Sequence, residues 1–178
     1  MNDLKFANWT LNTIRKDGIA MSWFEERRFD WCQIAYRFVL NVINGYSIII
    51  CTDSKRKWFG DYVSGAINSS SHRPLIPIFN INNISMDIVN INLGLLEDML
   101  SISFSSKHIV WYIGLLDNKF SNLAIESNNN FIWSFNGGLH TSFDLREGDA
   151  NNDIKLLQLF KILDRTIDAV MFNEIENE

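Results

Sequence analysis

The chain has 178 residues, 47% of them hydrophobic, which is enough for one well-buried domain (residues 1–178) and leaves little for a second. A formal net charge of −5 argues against a dedicated nucleic-acid binder, whose surface is normally basic. Two cysteines are too few for a disulfide framework, and no run approaches the roughly 20 apolar residues that span a bilayer, so a reducing, cytoplasmic setting is expected.

Leu4, Ala7, Leu11 and Ile14 fall on one helical face, and Asp17-Gly18 makes a stop. Polar Asp3, Asn8 and Asn12 keep this segment from reading as a signal peptide. Ser22-Trp23-Phe24-Glu25 has the spacing of a capping box, and a second helix is expected from Ser22 to Asn44, broken by Gly45. Strand one is Tyr46–Thr52, followed by a helix from Lys55 to Ile67. A loop over Asn68–Arg73 leads to strand two, Leu75–Ile81, where Pro77 points to a sheet edge or bulge. Asn82–Ser106 combines a loop with a helix around Leu93–Met99. Strand three is His108–Leu115, and a short helical or irregular piece covers Phe120–Glu126. Strand four is Phe131–Phe135; Gly137-Gly138 turns the chain toward a weaker fifth strand, Ser142–Leu145, and Asp153–Asn173 is an amphipathic helix. Strands separated by helices define a three-layer, Rossmann-like α/β fold. Its five-stranded, mostly parallel sheet has helices on both faces, a flavodoxin-like order is expected, and ligands belong at the carboxyl ends of the strands.

The loop after strand one occupies that ligand position. Asp53 or Ser54 can cap the following helix, whose free N–H groups favour an anion. Close approach of a phosphate normally requires glycine in the turn, and Thr52, Asp53 and Ser54 supply none. These three residues read as the remnant of a ligand loop, and Lys55-Arg56-Lys57 as a solvated helix start.

The second helix carries more apolar surface than one core needs. Phe24, Trp31, Ala35, Phe38, Val39 and Val42 make one face, and the apolar arc widens to about 240°, against the roughly 100° of a surface helix. Such a helix is buried deep in its domain or packed on a second subunit. With Phe6 and Trp9 on the first helix it favours an oligomer interface centred on Trp31, Phe38 and Val42, and a dimer or dimer of dimers. Trp23, Phe24, Arg27 and Arg28 at the helix start form a cluster of hot-spot character for a partner. Otherwise Trp23 and Phe24 staple the helix start to the core while the arginines pair with Glu25 and Glu26.

No reaction can be assigned. His72, His108 and His140 lie far apart, and neither they nor Cys32 and Cys51 stand in metal-ligand spacing. Cys51 reads as a buried strand residue, and Asp144, Glu147 and Asp149 show no cation-binding register. No phosphate-loop, nucleophile-elbow or HExxH motif occurs, so neither a catalytic set nor a cofactor or metal is expected.

Five stretches together resemble the HobA family of bacterial replication proteins: Trp23-Phe24-Glu25-Glu26-Arg27, Asn44-Gly45, Thr52–Phe59 with Tyr62, Arg73-Pro74-Leu75, and Ile154–Lys161. They run in the family's order over nearly the whole chain. The resemblance implies a fold similar to sugar isomerase (SIS) domains and to the initiator-binding protein DiaA. It also implies a homotetramer that binds the N-terminal part of the initiator DnaA and helps it assemble at the chromosomal origin, reaching DNA only through DnaA. SIS domains hold phosphosugars with Gly and Ser after strand one and Ser, Gly and Thr after strand three. Here only Ser54 and Gly114 remain, so the resemblance implies a non-catalytic adaptor. The alternative is a phosphosugar-binding enzyme or sensor with an altered loop.

Overall fold

The computed structural model describes residues 3–84 and 92–175. In chain order its elements are α1 (Asp3–Lys16), α2 (Ser22–Glu25), α3 (Arg28–Ile43), β1 (Ser47–Thr52), α4 (Lys57–Ala66), β2 (Ile78–Asn80), α5 (Leu93–Ser103), β3 (His108–Gly114), α6 (Lys119–Glu126), β4 (Asn130–Phe135), β5 (Ser142–Leu145) and α7 (Asn152–Met171). Residues 85–91, part of the loop expected after Asn82, lie outside the described ones.

All five strands are parallel, in the order β2-β1-β3-β4-β5, the flavodoxin-like order expected from the sequence. The central strands are apolar at nearly every position because both faces of a parallel sheet are covered. Ile48, Ile50, Trp111, Ile113, Phe131 and Trp133 face the layer of α1, α3, α4 and α7. Ile49, Cys51, Val110, Tyr112 and Ile132 face α5 and α6.

Pro77 stands just before β2, at the sheet edge, where its missing N–H is harmless and its carbonyl accepts from Ile48 N–H at 2.8 Å. β2 is shorter than the expected Leu75–Ile81 because the Asn80 side chain accepts from Asn82 N–H and turns the chain. Gly45, at φ +81, ends α3: its N–H bonds the Val42 carbonyl and Tyr46 N–H bonds that of Asn41, a Schellman closure.

The expected continuous helix from Ser22 to Asn44 is two pieces. The Ser22 capping box does not form; Met21 stands at the N-cap without a side-chain bond. Arg27, at φ −96 and ψ 2, leaves helical geometry, and Arg28 Nη1 donates to the Glu25 carbonyl at 2.7 Å, closing the break.

The buried face of α1 is also turned from the expected stripe: Leu4 is exposed, while Phe6, Ala7, Trp9, Thr10, Thr13 and Ile14 are buried. That face covers the outside of α3, with the Phe6 ring 5.8 Å from Tyr36 and Thr10 Oγ1 3.8 Å from Cys32 Sγ. The wide apolar arc is explained by this arrangement, its inner side on the sheet and its outer side under α1. Trp31, Phe38 and Val42, expected at an oligomer interface, are core residues. Trp31 packs on Phe131, Trp133 and Phe143, and Phe38 stacks on Phe131 at 4.2 Å.

β4 and β5 are parallel neighbours joined by residues 136–141 alone, where such a crossover usually takes a dozen residues or more. Asp144 holds this short return together, accepting from Gly137 N–H at 2.7 Å and Ser134 Oγ at 2.9 Å. A side chain on Gly137 would begin 2.5 Å from Leu116 Cδ1.

Candidate functional site: a filled anion crevice

In the order 2-1-3-4-5 the chain leaves β1 toward one edge and returns at β3 on the other side, so the crevice between their carboxyl ends is the place for a ligand. Asp53 fills it. Its Oδ1 accepts from Arg56 N–H at 2.9 Å; its Oδ2 accepts from Leu115 N–H at 2.9 Å and from Arg56 Nη1 at 2.5 Å. The first donor opens the helical turn after β1, and the second comes from the loop after β3. Ser54 begins that turn, and Thr52 donates its hydroxyl to the Asp53 carbonyl, so neither side chain replaces the carboxylate.

Arg56 is buried, which corrects the reading of Lys55-Arg56-Lys57 as a solvated helix start. Its guanidinium lies 3.7 Å over the Phe135 ring and bonds Glu147 as well as Asp53; Lys55 Nζ reaches Glu147 from outside at 2.7 Å. The Lys55 hydrogen bond, aided by Arg56, holds the Glu147 carboxyl below its ordinary range. Arg56 and Glu147 were missed as a pair because they are joined only by folding. The legible part was local: an acidic N-cap residue with an arginine three positions on.

The other candidate chemistry is dispersed. Cys51 is buried, and burial pushes its thiol pKa up. Burial likewise raises Tyr112, whose hydroxyl donates to the Leu115 carbonyl. His72 is exposed beside Asp168, His140 is exposed, and His108 lies at the opposite end of the sheet, where burial lowers its pKa. Asp144, Glu147 and Asp149 bind separate partners. Among the described residues no group of three or more His, Cys, Asp or Glu side chains could hold a metal ion. None of the described helices is long and apolar enough to cross a membrane.

The cluster at α2 is split by burial. Phe24 is wholly buried against Trp31 and Phe143, so it offers nothing to a partner. Trp23 is half-buried and donates its indole N–H to Gln158 at 2.7 Å, with Lys155 above its ring. Arg27 binds Asp30 and the Asp144 carbonyl, covering the outer edge of β5. Glu25 pairs with Arg15, not with the arginines that follow it. Arg28 stacks its guanidinium on Phe29, which is 52% exposed. Arg28 thus retains an outward apolar neighbour in Phe29, which the sequence placed only on the wide apolar arc of the second helix and not among the partner residues.

Fold and site together define a doubly wound α/β protein of flavodoxin-like order whose ligand crevice is closed by its own side chain. A family model described as HobA, DNA replication regulator, matches residues 1–177, and the chain belongs to that family. It is similar to the DNA replication regulator protein HobA of Helicobacter pylori, at 26% identity over 180 residues that cover 96% of this chain and 97% of that protein. Among solved structures it is similar to a HobA–DnaA (domain I-II) complex from H. pylori, with a TM-score of 0.77, 26% identity and coverage of 95% of this chain and 97% of the other. The crystal structure of H. pylori HobA gives a TM-score of 0.76 at 25% identity, covering 95% and 96% of the two chains.

Proposed function

We propose that this protein is a non-catalytic adaptor that binds the N-terminal domain of DnaA and promotes its assembly at the chromosomal origin. The observation that carries this reading is the closed crevice: Asp53 occupies the ligand position of the fold, and among the described residues no catalytic set surrounds it. A phosphosugar would have to displace a carboxylate held by three hydrogen bonds. The structural relative solved with DnaA domain I-II supports the choice of partner. The adaptor acts by multivalency, as a closed homo-oligomer that raises the local concentration of bound initiator. Since Trp31, Phe38 and Val42 are core, assembly falls to other apolar surface, and the outward stripe Leu95, Met99 and Ile102 on α5 supplies it. Partner contact falls to Arg28 with Phe29 and the rim of Trp23. Titration calorimetry with the N-terminal domain of the cognate DnaA tests the reading: saturable binding is expected, and no heat at micromolar concentrations overturns it.

A further inference from the structure

A cavity of about 370 Å3 opens at the end of the sheet opposite Asp53, between α5, α6 and the start of β3. The register of the strands makes it. β3 begins at His108, but β4 joins it only at Val110, opposite Asn130, so the first two residues of β3 have no neighbour on that side. His108 shares the face of Val110 and Tyr112, which is the face that carries α5 and α6. Residues 127–129, between α6 and β4, form the remaining wall.

We propose that this cavity binds a small aliphatic polyamine. Its walls carry Glu97 and Asp98 from α5 and Glu126 from α6, and among the described residues none of these carboxylates enters an ion pair. No lysine or arginine lines the cavity. His108 does line it, and its Nδ1 is buried without a hydrogen-bond partner, so the chain leaves a ring nitrogen for another molecule to satisfy. Burial lowers the His108 pKa, so the ring does not neutralise the carboxylates around it. α5 and α6 both end at this cavity, and neither has a basic residue in its last turn to offset the negative end of its dipole. Three unpaired carboxylates, two helix C-termini and a ring nitrogen without a partner all call for a cation. The volume falls within the roughly 300–1,000 Å3 of small-molecule sites. An ammonium group is a compact cation with three rotatable donors, whereas guanidinium is a planar fork. Several ammonium groups on one flexible chain can meet carboxylates on α5 and α6 together. A metal ion does not fit, since no group of three or more His, Cys, Asp or Glu among the described residues could hold one. This inference does not rest on the DnaA reading.

The test is titration calorimetry of spermidine into the full chain at about 0.15 M sodium chloride, where general attraction to an acidic protein is screened. Glu97→Gln with Glu126→Gln removes charge from two walls at positions outside the core. Glu26→Gln with Asp153→Asn removes the same charge from exposed positions elsewhere and is the control. Wild type and control should bind spermidine saturably with equal affinity, and the Glu97/Glu126 variant, folded by circular dichroism, at least about tenfold more weakly. A wild-type protein that takes up no spermidine overturns the proposal. So does an equal loss in both double variants, which marks diffuse attraction to the acidic surface, or no loss in either, which puts the amine elsewhere.

Discussion

Asp53 Oδ2 lies 2.7 Å from the point at which a side chain on Gly114 would begin. The two residues sit at the ends of adjacent strands, 61 positions apart in sequence, and each requires the other to be what it is. Gly114 also has φ +155, which adds backbone strain to any replacement. Gly114→Ala should destabilise the protein by about 1–3 kcal/mol, the usual cost of overpacking, read from the denaturant midpoint. Gly65 has nothing near its Cβ position, so Gly65→Ala is the control and should not destabilise.

Arg56 and Lys55 both bind Glu147, yet they should differ sharply on truncation. The Arg56 side chain is 4% exposed and that of Lys55 68%. Arg56→Ala leaves the Asp53 carboxylate, 10% exposed, without its charged partner and should cost about 3–5 kcal/mol, while Glu147 keeps Lys55. Lys55→Ala removes an exposed ion pair and should cost about 0–1 kcal/mol. Equal losses in urea titrations would show that Arg56 is not buried as described.

The central strands were legible in the sequence because a two-sided parallel sheet leaves uninterrupted apolar runs such as Ser47–Cys51, whereas their order, β2-β1-β3-β4-β5, matches the expected flavodoxin-like one but is not written in those runs. The wide arc of α3 misled because a helical wheel cannot distinguish a second subunit from a helix of the same chain. Only the fold shows that α1 lies over Tyr36 and Cys32. The Arg56–Glu147 pair was invisible for a similar reason: 91 residues separate partners that meet through topology alone. The loop chemistry at Asp53 was half legible. Absent glycines argued against phosphate, and Asp53 was legible as a cap, but only the fold shows its Oδ2 accepting from Leu115 N–H of the loop after β3.

Trp31 and Ile102 test the division between the core and the proposed assembly surface on α5. Trp31→Ala should lower stability by about 3–5 kcal/mol, as expected for a large buried aromatic residue. Ile102 is 82% exposed, and Ile102→Glu should leave stability within about 0.5 kcal/mol while reducing the mass measured by light scattering. An unchanged mass would exclude the α5 stripe from assembly.

Among the described residues, Asp17 and Glu147 are two of the three carboxylates whose pKa is lowered in the fold, with Asp149, and they contribute to the acid limit of stability. Burial works against the Asp17 carboxylate, but hydrogen bonds and charge from Lys161 and Arg165 outweigh it and lower its pKa from the ordinary 3.8. Glu147 is lowered from 4.5, chiefly by Lys55. A lowered folded-state value means that the unfolded chain takes up protons first. This stability is therefore fully present above the ordinary values and is lost as pH falls through the lower folded ones. The wild-type denaturant midpoint should fall steeply below about pH 4.5, and Asp17→Asn should show a shallower fall over the same range.

Arg28 offers the cleanest test of the partner surface. Arg27 is a poor probe, since its guanidinium binds Asp30 and the Asp144 carbonyl, and reversing its charge would disturb the β5 edge. Phe24 is poorer still, because its replacement opens the core. Arg28 makes one bond to the Glu25 carbonyl and otherwise lies over exposed Phe29, so Arg28→Glu alters the surface with little below it. Arginine and aromatic residues are enriched among side chains whose loss costs at least about 2 kcal/mol of binding, roughly a thirtyfold change in affinity. Arg28→Glu is expected to weaken binding to the DnaA N-terminal domain by that factor, with circular dichroism and scattering mass unchanged. Affinity equal to wild type in a folded variant would remove Arg28 from the contact surface.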